Sequence, residues 1–183
     1  MNLQALPEEA LKEILSLTEA KKRLDLRDEA QEKFMPFAHH VYENFIEGRH
    51  HRIIAEKLEQ VAEGKLKRHI INMPPRHSKS EFASYLMPAW FLGRNPKLKI
   101  IQATHNTELA VRFGRKVRDL IDDPQYKDVF PDTHLKEDNK GAGKWQTSAG
   151  GEYFAAGVGA AVTGRGADLF VIDLSLIHIS EPT

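Results

Sequence analysis

NMPPRHSKSE, residues 72–81, decides how this chain reads. The run before it, LKRHIINM over 66–73, has the β-rich composition of a short strand. The run after it predicts a helix from about Lys79 to Leu92. A strand, a tight turn and a helix whose first N–H groups are free make an anion-binding element. The usual phosphate-loop pattern is G-x-x-x-x-G-K-[ST]. Aligned on Lys79-Ser80, Met73 and Ser78 occupy the two glycine positions, so the strict pattern fails. The physical requirements survive. Pro74 and Pro75 can set the turn by rigidity where glycine would allow it by freedom. Ser78 is small enough for a phosphate to approach the backbone. Lys79 can reach β- and γ-phosphates, Ser80 can offer a hydroxyl to Mg²⁺, and Arg76 adds a planar cation. Pro75, Arg76, His77, Ser78, Lys79 and Ser80 are therefore the candidate nucleotide contacts. The competing reading is a basic strand-to-helix loop with a chance Lys-Ser pair.

Working outward, the pattern before the loop is helical. Pro7-Glu8-Glu9 opens a first helix, expected to run to about Leu24. A second is expected over 28–45 and a third from about His50 to a stop at Gly64. After the loop, PKLKIIQAT (96–104) reads as a strand and 107–121 as a helix with Leu109, Phe113, Val117 and Leu120 inward. KWQTSAGGEYFAAG (144–157) reads as a hairpin turning at Gly150-Gly151. LFVID (169–173) reads as a continuous apolar strand ending in an acid. Strands alternating with helices predict an α/β fold, a mostly parallel sheet with helices on both faces. The division is a helical segment over 1–64 and an α/β core over 65–173.

Bulk composition excludes little. The 183 residues are 41% apolar and 28% charged, as in ordinary globular proteins. Lys plus Arg and Asp plus Glu both total 26, so net charge names no partner, and any nucleic-acid contact must come from a local patch. The absence of cysteine removes disulfides and thiolate zinc sites and fits a cytoplasmic protein. The N-terminus has no signal-peptide pattern, and no apolar run approaches the ~20 residues of a membrane span.

A nucleotide-hydrolysing loop needs a carboxylate at the end of another strand, to hold Mg²⁺, and usually a neighbouring acid to orient water. Asp173 fits the first requirement. Position 174, where the second acid belongs, is Leu174.

These motifs together resemble one family. PPRHSKSE is similar to the PPRHGKSE form of the phosphate loop in large terminase subunits of tailed bacteriophages, the ATP-driven motors that package DNA into the capsid. HHRIIAEKLEQVAEGKLKRHIINMPPRHSKSE, IIQATHNTELAVRFGRKVRDLI and GGEYFAAGVGAAVTGRGADLFVID follow that family's order and spacing, over roughly residues 45–173. Ser78 departs from the family's glycine. The resemblance implies a P-loop NTPase fold of the RecA-like class, ATP and Mg²⁺ as cofactors, and ATP hydrolysis coupled to DNA translocation. It implies Lys79 on the β/γ-phosphates, Ser80 and Asp173 at the metal, and Arg76 as a phosphate-sensing arginine. Arg165, in VTGRGAD, would be a finger on a neighbouring subunit's ATP; the plainer reading is an exposed turn arginine. Double-stranded DNA, a portal protein, a small terminase subunit and a homo-oligomeric ring are the implied partners, in the cytoplasm of a bacterial host and away from membranes. The family's second acid, coupling motif and nuclease domain have no counterpart here.

The last ten residues, LSLIHISEPT (174–183), match the translation of a transposase adapter used in sequencing libraries, CTG TCT CTT ATA CAC ATC TCC GAG CCC ACG. The expectation is a truncated ATPase core followed by a non-native tail. Two other readings stay open: a helicase-like or repair P-loop ATPase, and a non-catalytic DNA- or capsid-binding module with a dead loop. His39-His40 and His50-His51 are read as surface or partly buried histidines, since adjacent helical residues point about 100° apart. Arg112, Arg115 and Lys116 share one face of the 107–121 helix and offer a DNA-backbone contact or a solvated face.

Overall fold

The computed structural model describes residues 7–42, 44–157, 159 and 164–174, with the side chains of 139 and 140 left out; most of the expected tail lies outside that range. Three helices come first, α1 (Glu8–Glu32), α2 (Phe34–Val41) and α3 (Arg49–Ala62). The first boundary differs from the expected one. α1 continues through Leu24 to Glu32 and breaks at Lys33, which is extended. Pro36 gives the reason: in an unbroken helix its ring would strike the carbonyl of Glu32, four residues back. The break is then held from a distance. Glu59 of α3 accepts the backbone N–H of Phe34 at 2.9 Å and the Lys33 ammonium at 3.2 Å.

The helix after the loop spans 79–94 but is not uniform. Glu81–Leu86 is π-helical, with the N–H of Met87 donating to Phe82 five residues back, and α4 (Met87–Arg94) follows. Pro88 lacks the N–H that an α-helix would give to Ser84, and the wider turn absorbs the misfit.

Five strands follow the order β2-β3-β4-β1-β5: β1 (Lys99–Thr104), β2 (Leu135–Lys140), β3 (Lys144–Thr147), β4 (Glu152–Gly157) and β5 (Leu169–Asp173). β4, β1 and β5 run parallel, while β2 and β3 add antiparallel pairs, so the sheet is mixed. The hairpin is present as β3–β4, with Gly150 at φ 96° in its turn. α5 (Thr107–Asp122) and the short α6 (Pro124–Val129) complete the described elements.

Two expectations are corrected. The segment 66–73 takes no strand pairing among the described residues, and Ile70 is 90% exposed. A β-rich composition makes a strand only where a neighbour offers a ladder. The sheet is also not covered on both faces by the described helices. Ile100, Tyr153, Leu169 and their same-face neighbours lie under α5 and the helix 79–94. On the other face Phe170 and Ile172 are 53% and 59% exposed. LFVID is thus an edge strand that alternates, not one buried on both sides.

One core crosses the boundary between the helical segment and the α/β part. Phe34 packs edge-on against Phe82 at 5.4 Å and Trp90 at 5.5 Å, and the Trp90 indole N–H donates to the carbonyl of Ala30 at 3.1 Å. Under α5, Trp145 and Tyr153 stack at 4.8 Å, and Trp145 donates to the carbonyl of Gly114. Gly114 is required there, since a Cβ would come within 2.6 Å of the Ala142 carbonyl. No described helix is long and apolar enough to cross a membrane.

Candidate phosphate loop and its neighbouring carboxylate

The loop is built from backbone of alternating hand. Arg76 and Ser78 have φ of 65° and 60°, and His77 between them is not in the positive-φ region. Such alternation turns successive N–H groups toward one side and makes an anion-binding concavity. The prolines therefore do not set the turn alone, as the sequence suggested. Two residues with side chains hold a left-handed conformation that glycine would hold without strain. This explains the glycine of the usual pattern at the position of Ser78. Ser78→Gly is expected to stabilise the fold by about 1 kcal/mol, the scale of a left-handed residue with a Cβ. A urea titration of the two proteins measures it; an unchanged or lower midpoint contradicts the strain argument.

Side chains close the loop. The Lys79 ammonium donates to the carbonyl of Met73 at 3.1 Å, spanning from the end of the turn to its beginning. His77 donates through Nδ1–H to the carbonyl of Pro75 at 2.8 Å. Arg76 is exposed. The helix begins at once, with the N–H of Phe82 donating to the carbonyl of Ser78 at 2.9 Å.

Asp173 ends β5, in register with Thr104 at the end of β1, and is only 8% exposed. Ser84 donates its hydroxyl to Asp173 Oδ2 at 2.8 Å, in a buried contact. Ser84 stands four residues beyond Ser80, close to one turn along the same helix. The fold thus brings the loop's helix and the strand-end carboxylate together across 89 residues of sequence. Ser80 and Asp173 are the residues that could hold a divalent cation, with phosphate and water supplying the remaining oxygens. Among the described residues no group of three His, Cys, Asp or Glu side chains forms a metal cluster.

Arg165 is not part of this arrangement. It donates to Glu152 Oε1 at 2.7 Å and lies 4.1 Å from the Phe154 ring centroid. Glu152 pairs with Lys99 at the start of β1, whereas Asp173 pairs with Thr104 at its end. Five residues of strand separate the two ends, about 16 Å. A role for Arg165 on phosphate would have to be on another molecule's nucleotide.

Sequence reading missed three supports. Glu81 binds Lys116 of α5 at 3.0 and 3.1 Å, and Lys116 also lies 4.4 Å from the Tyr85 ring centroid. Lys116 is thereby tied to the loop's helix, while Arg112 and Arg115 are exposed. Ser84 is the second. The third is His51, buried to 5% exposure and stacked on Phe82 at 5.0 Å, more deeply than the surface or partly buried placement expected. Its Nδ1 accepts the Gly48 N–H at 2.9 Å, and its Nε2 is buried without a partner. Only the His50-His51 doublet before an apolar face hinted at it.

Burial holds the His51 pKa below its usual 6.5, helped by His50 and His77 and opposed by Glu47. A lowered histidine pKa means the unfolded chain binds the proton more tightly. The stabilisation is present above pH 6.5 and is lost as pH falls toward the folded value. The thermal midpoint should therefore drop below that pH in the native chain and drop less in His51→Phe, measured by circular dichroism across pH.

No protein-family model, curated protein or solved structure significantly matches the chain.

Proposed function

We propose that residues 74–80 are a nucleotide phosphate cradle and that the chain is the ATPase core of a DNA-packaging motor of the large terminase type. The observation that carries the nucleotide reading is the buried Ser84–Asp173 hydrogen bond. It sets a strand-end carboxylate one helical turn from Ser80, where a loop of alternating hand gives way to a helix N-terminus. The packaging role rests on the resemblance of PPRHSKSE and the motifs after it.

In this reading the loop N–H groups and Lys79 bind the phosphates, exchanging the Met73 carbonyl for a stronger, charged acceptor. Arg76 is poised to hold a terminal phosphate. Ser80 and Asp173 would hold Mg²⁺, which when bound neutralises charge on the β- and γ-oxygens. Ser84 orients Asp173 and satisfies one carboxylate oxygen. Arg165 would act, if at all, on the nucleotide of a neighbouring subunit.

The test is a titration of the purified chain with a fluorescent ATP analogue, with and without Mg²⁺. Saturable binding that strengthens with Mg²⁺ and is competed by ATP is the expected result. Binding that is absent with the metal present overturns the cradle.

A further inference from the structure

We propose that α1 is a self-association element that pairs antiparallel with α1 of a second copy of this chain. The helix is anchored at one end only. Ala30 is buried, Gln31 donates to the Val129 carbonyl at 2.5 Å, and Arg23 pairs with Asp128 at 2.8 Å. Toward the N-terminus it carries a stripe with little cover among the described residues. Ala10, Ile14, Leu17, Lys21 and Leu24 recur at alternating steps of four and three, a seven-residue repeat. At 3.6 residues per turn this stripe lies about 160° around the helix from Ala30. Ile14, Leu17 and Leu24 are 38%, 63% and 49% exposed, and Leu15 and Leu26 add 61% and 50% beside them.

Charge names the occupant. Glu8, Glu9, Glu13 and Glu19 against Lys12 give residues 8–19 a formal charge of −3. Lys21, Lys22, Arg23 and Arg27 against Asp25, Asp28 and Glu29 give residues 20–30 a charge of +1. A parallel pair would set like charges side by side. An antiparallel pair sets each acidic half against the other copy's basic half, and flanking charges decide such orientation. The seven-residue repeat then places Ile14 opposite the second copy's Leu24, and Leu17 against the aliphatic stem of its Lys21. Glu13 faces its Arg27, which within its own copy holds Asp28 at 3.1 Å, and Thr18 lies beside the two-fold axis. This inference does not depend on the nucleotide reading.

The native chain has no cysteine, so engineered cysteines report position cleanly. The experiment is sedimentation velocity of the full chain from low to high micromolar concentration, with oxidative cross-linking of single-cysteine variants. The expected result is a monomer–dimer equilibrium that weakens with salt. Thr18→Cys should cross-link to itself, and Ile14→Cys should cross-link to Leu24→Cys in a mixture but not to itself. Leu17→Glu with Leu24→Glu should raise the dissociation constant about 100-fold while leaving the circular dichroism spectrum and ATP-analogue binding unchanged, because both side chains are exposed. A monomer at every concentration overturns the proposal. So does a dimer indifferent to the double substitution, or one in which Ile14→Cys cross-links to itself.

Discussion

Lys79→Ala should weaken ATP-analogue binding about 100-fold, the equivalent of roughly 2.7 kcal/mol. The magnitude follows from the kind of bond removed. A hydrogen bond to a charged group contributes about 1.5–3 kcal/mol, and an ammonium between two phosphate oxygens lies at the upper end. The ammonium is already positioned, since it sits 3.1 Å from the Met73 carbonyl at the mouth of the loop. Little side-chain ordering remains to be spent on binding, so most of the interaction appears as affinity. The fold should tolerate the change, because Lys79 is only partly buried and its ammonium meets a backbone carbonyl at Met73. Equal affinity in Lys79→Ala and the native chain would remove the lysine from the site and favour a loop that binds something other than nucleotide. A parallel Asp173→Asn protein separates the two roles. It should keep binding without Mg²⁺ and lose the metal's enhancement.

The residues that were legible in the sequence are those whose structure is decided locally. α5 starts where the Asn106 side chain accepts the Leu109 N–H at 2.8 Å, and its inward face of Phe113, Val117 and Leu120 follows the apolar period. Gly150 marks the hairpin because its turn needs a positive φ. The break at Lys33 was half legible: Pro36 announces it, but Glu59, which caps the new helix, is 25 residues from Phe34. Segment 66–73 misled because strand formation is a property of a pair. Arg165 stands eight residues before Asp173 in the sequence, yet it sits by Glu152 at the other end of the strands, because a strand carries its two ends apart. Within the loop, residue types pointed to phosphate, while the hand of the backbone at Arg76 and Ser78 is invisible in them. Ser84 was unreadable for a third reason. A serine inside an apolar helix has no distinguishing pattern until the strand bearing Asp173 is laid beside it.

The second large effect is a gain. Leu174→Glu should raise ATP turnover by about 10²–10⁴-fold, the range a positioned general base contributes. The unsubstituted chain should bind nucleotide and hydrolyse it hardly at all, because the residue after Asp173, the first of the tail read as non-native, is a leucine, 44% exposed, with no proton acceptor to offer. The loop, Ser80 and Asp173 stabilise charge on the phosphates without orienting the water that attacks them. Glutamate at 174 places a carboxylate directly after the strand end, on backbone that the Ser84–Asp173 contact already fixes from the preceding residue. Exposure at that position means that the added charge costs little in desolvation. Three proteins distinguish the outcomes in a phosphate-release assay under saturating Mg²⁺ and ATP. Leu174→Glu should turn over, Leu174→Gln should match the native chain, and Leu174→Glu with Lys79→Ala should fall back to the background. If Leu174→Glu binds ATP as the native chain does and stays inert, the water-attacking geometry is absent, and the site is one that holds nucleotide without consuming it. If native and Leu174→Glu proteins hydrolyse equally fast, a proton acceptor other than residue 174 serves the site, and the pairing of Asp173 with a following acid is not what this loop uses.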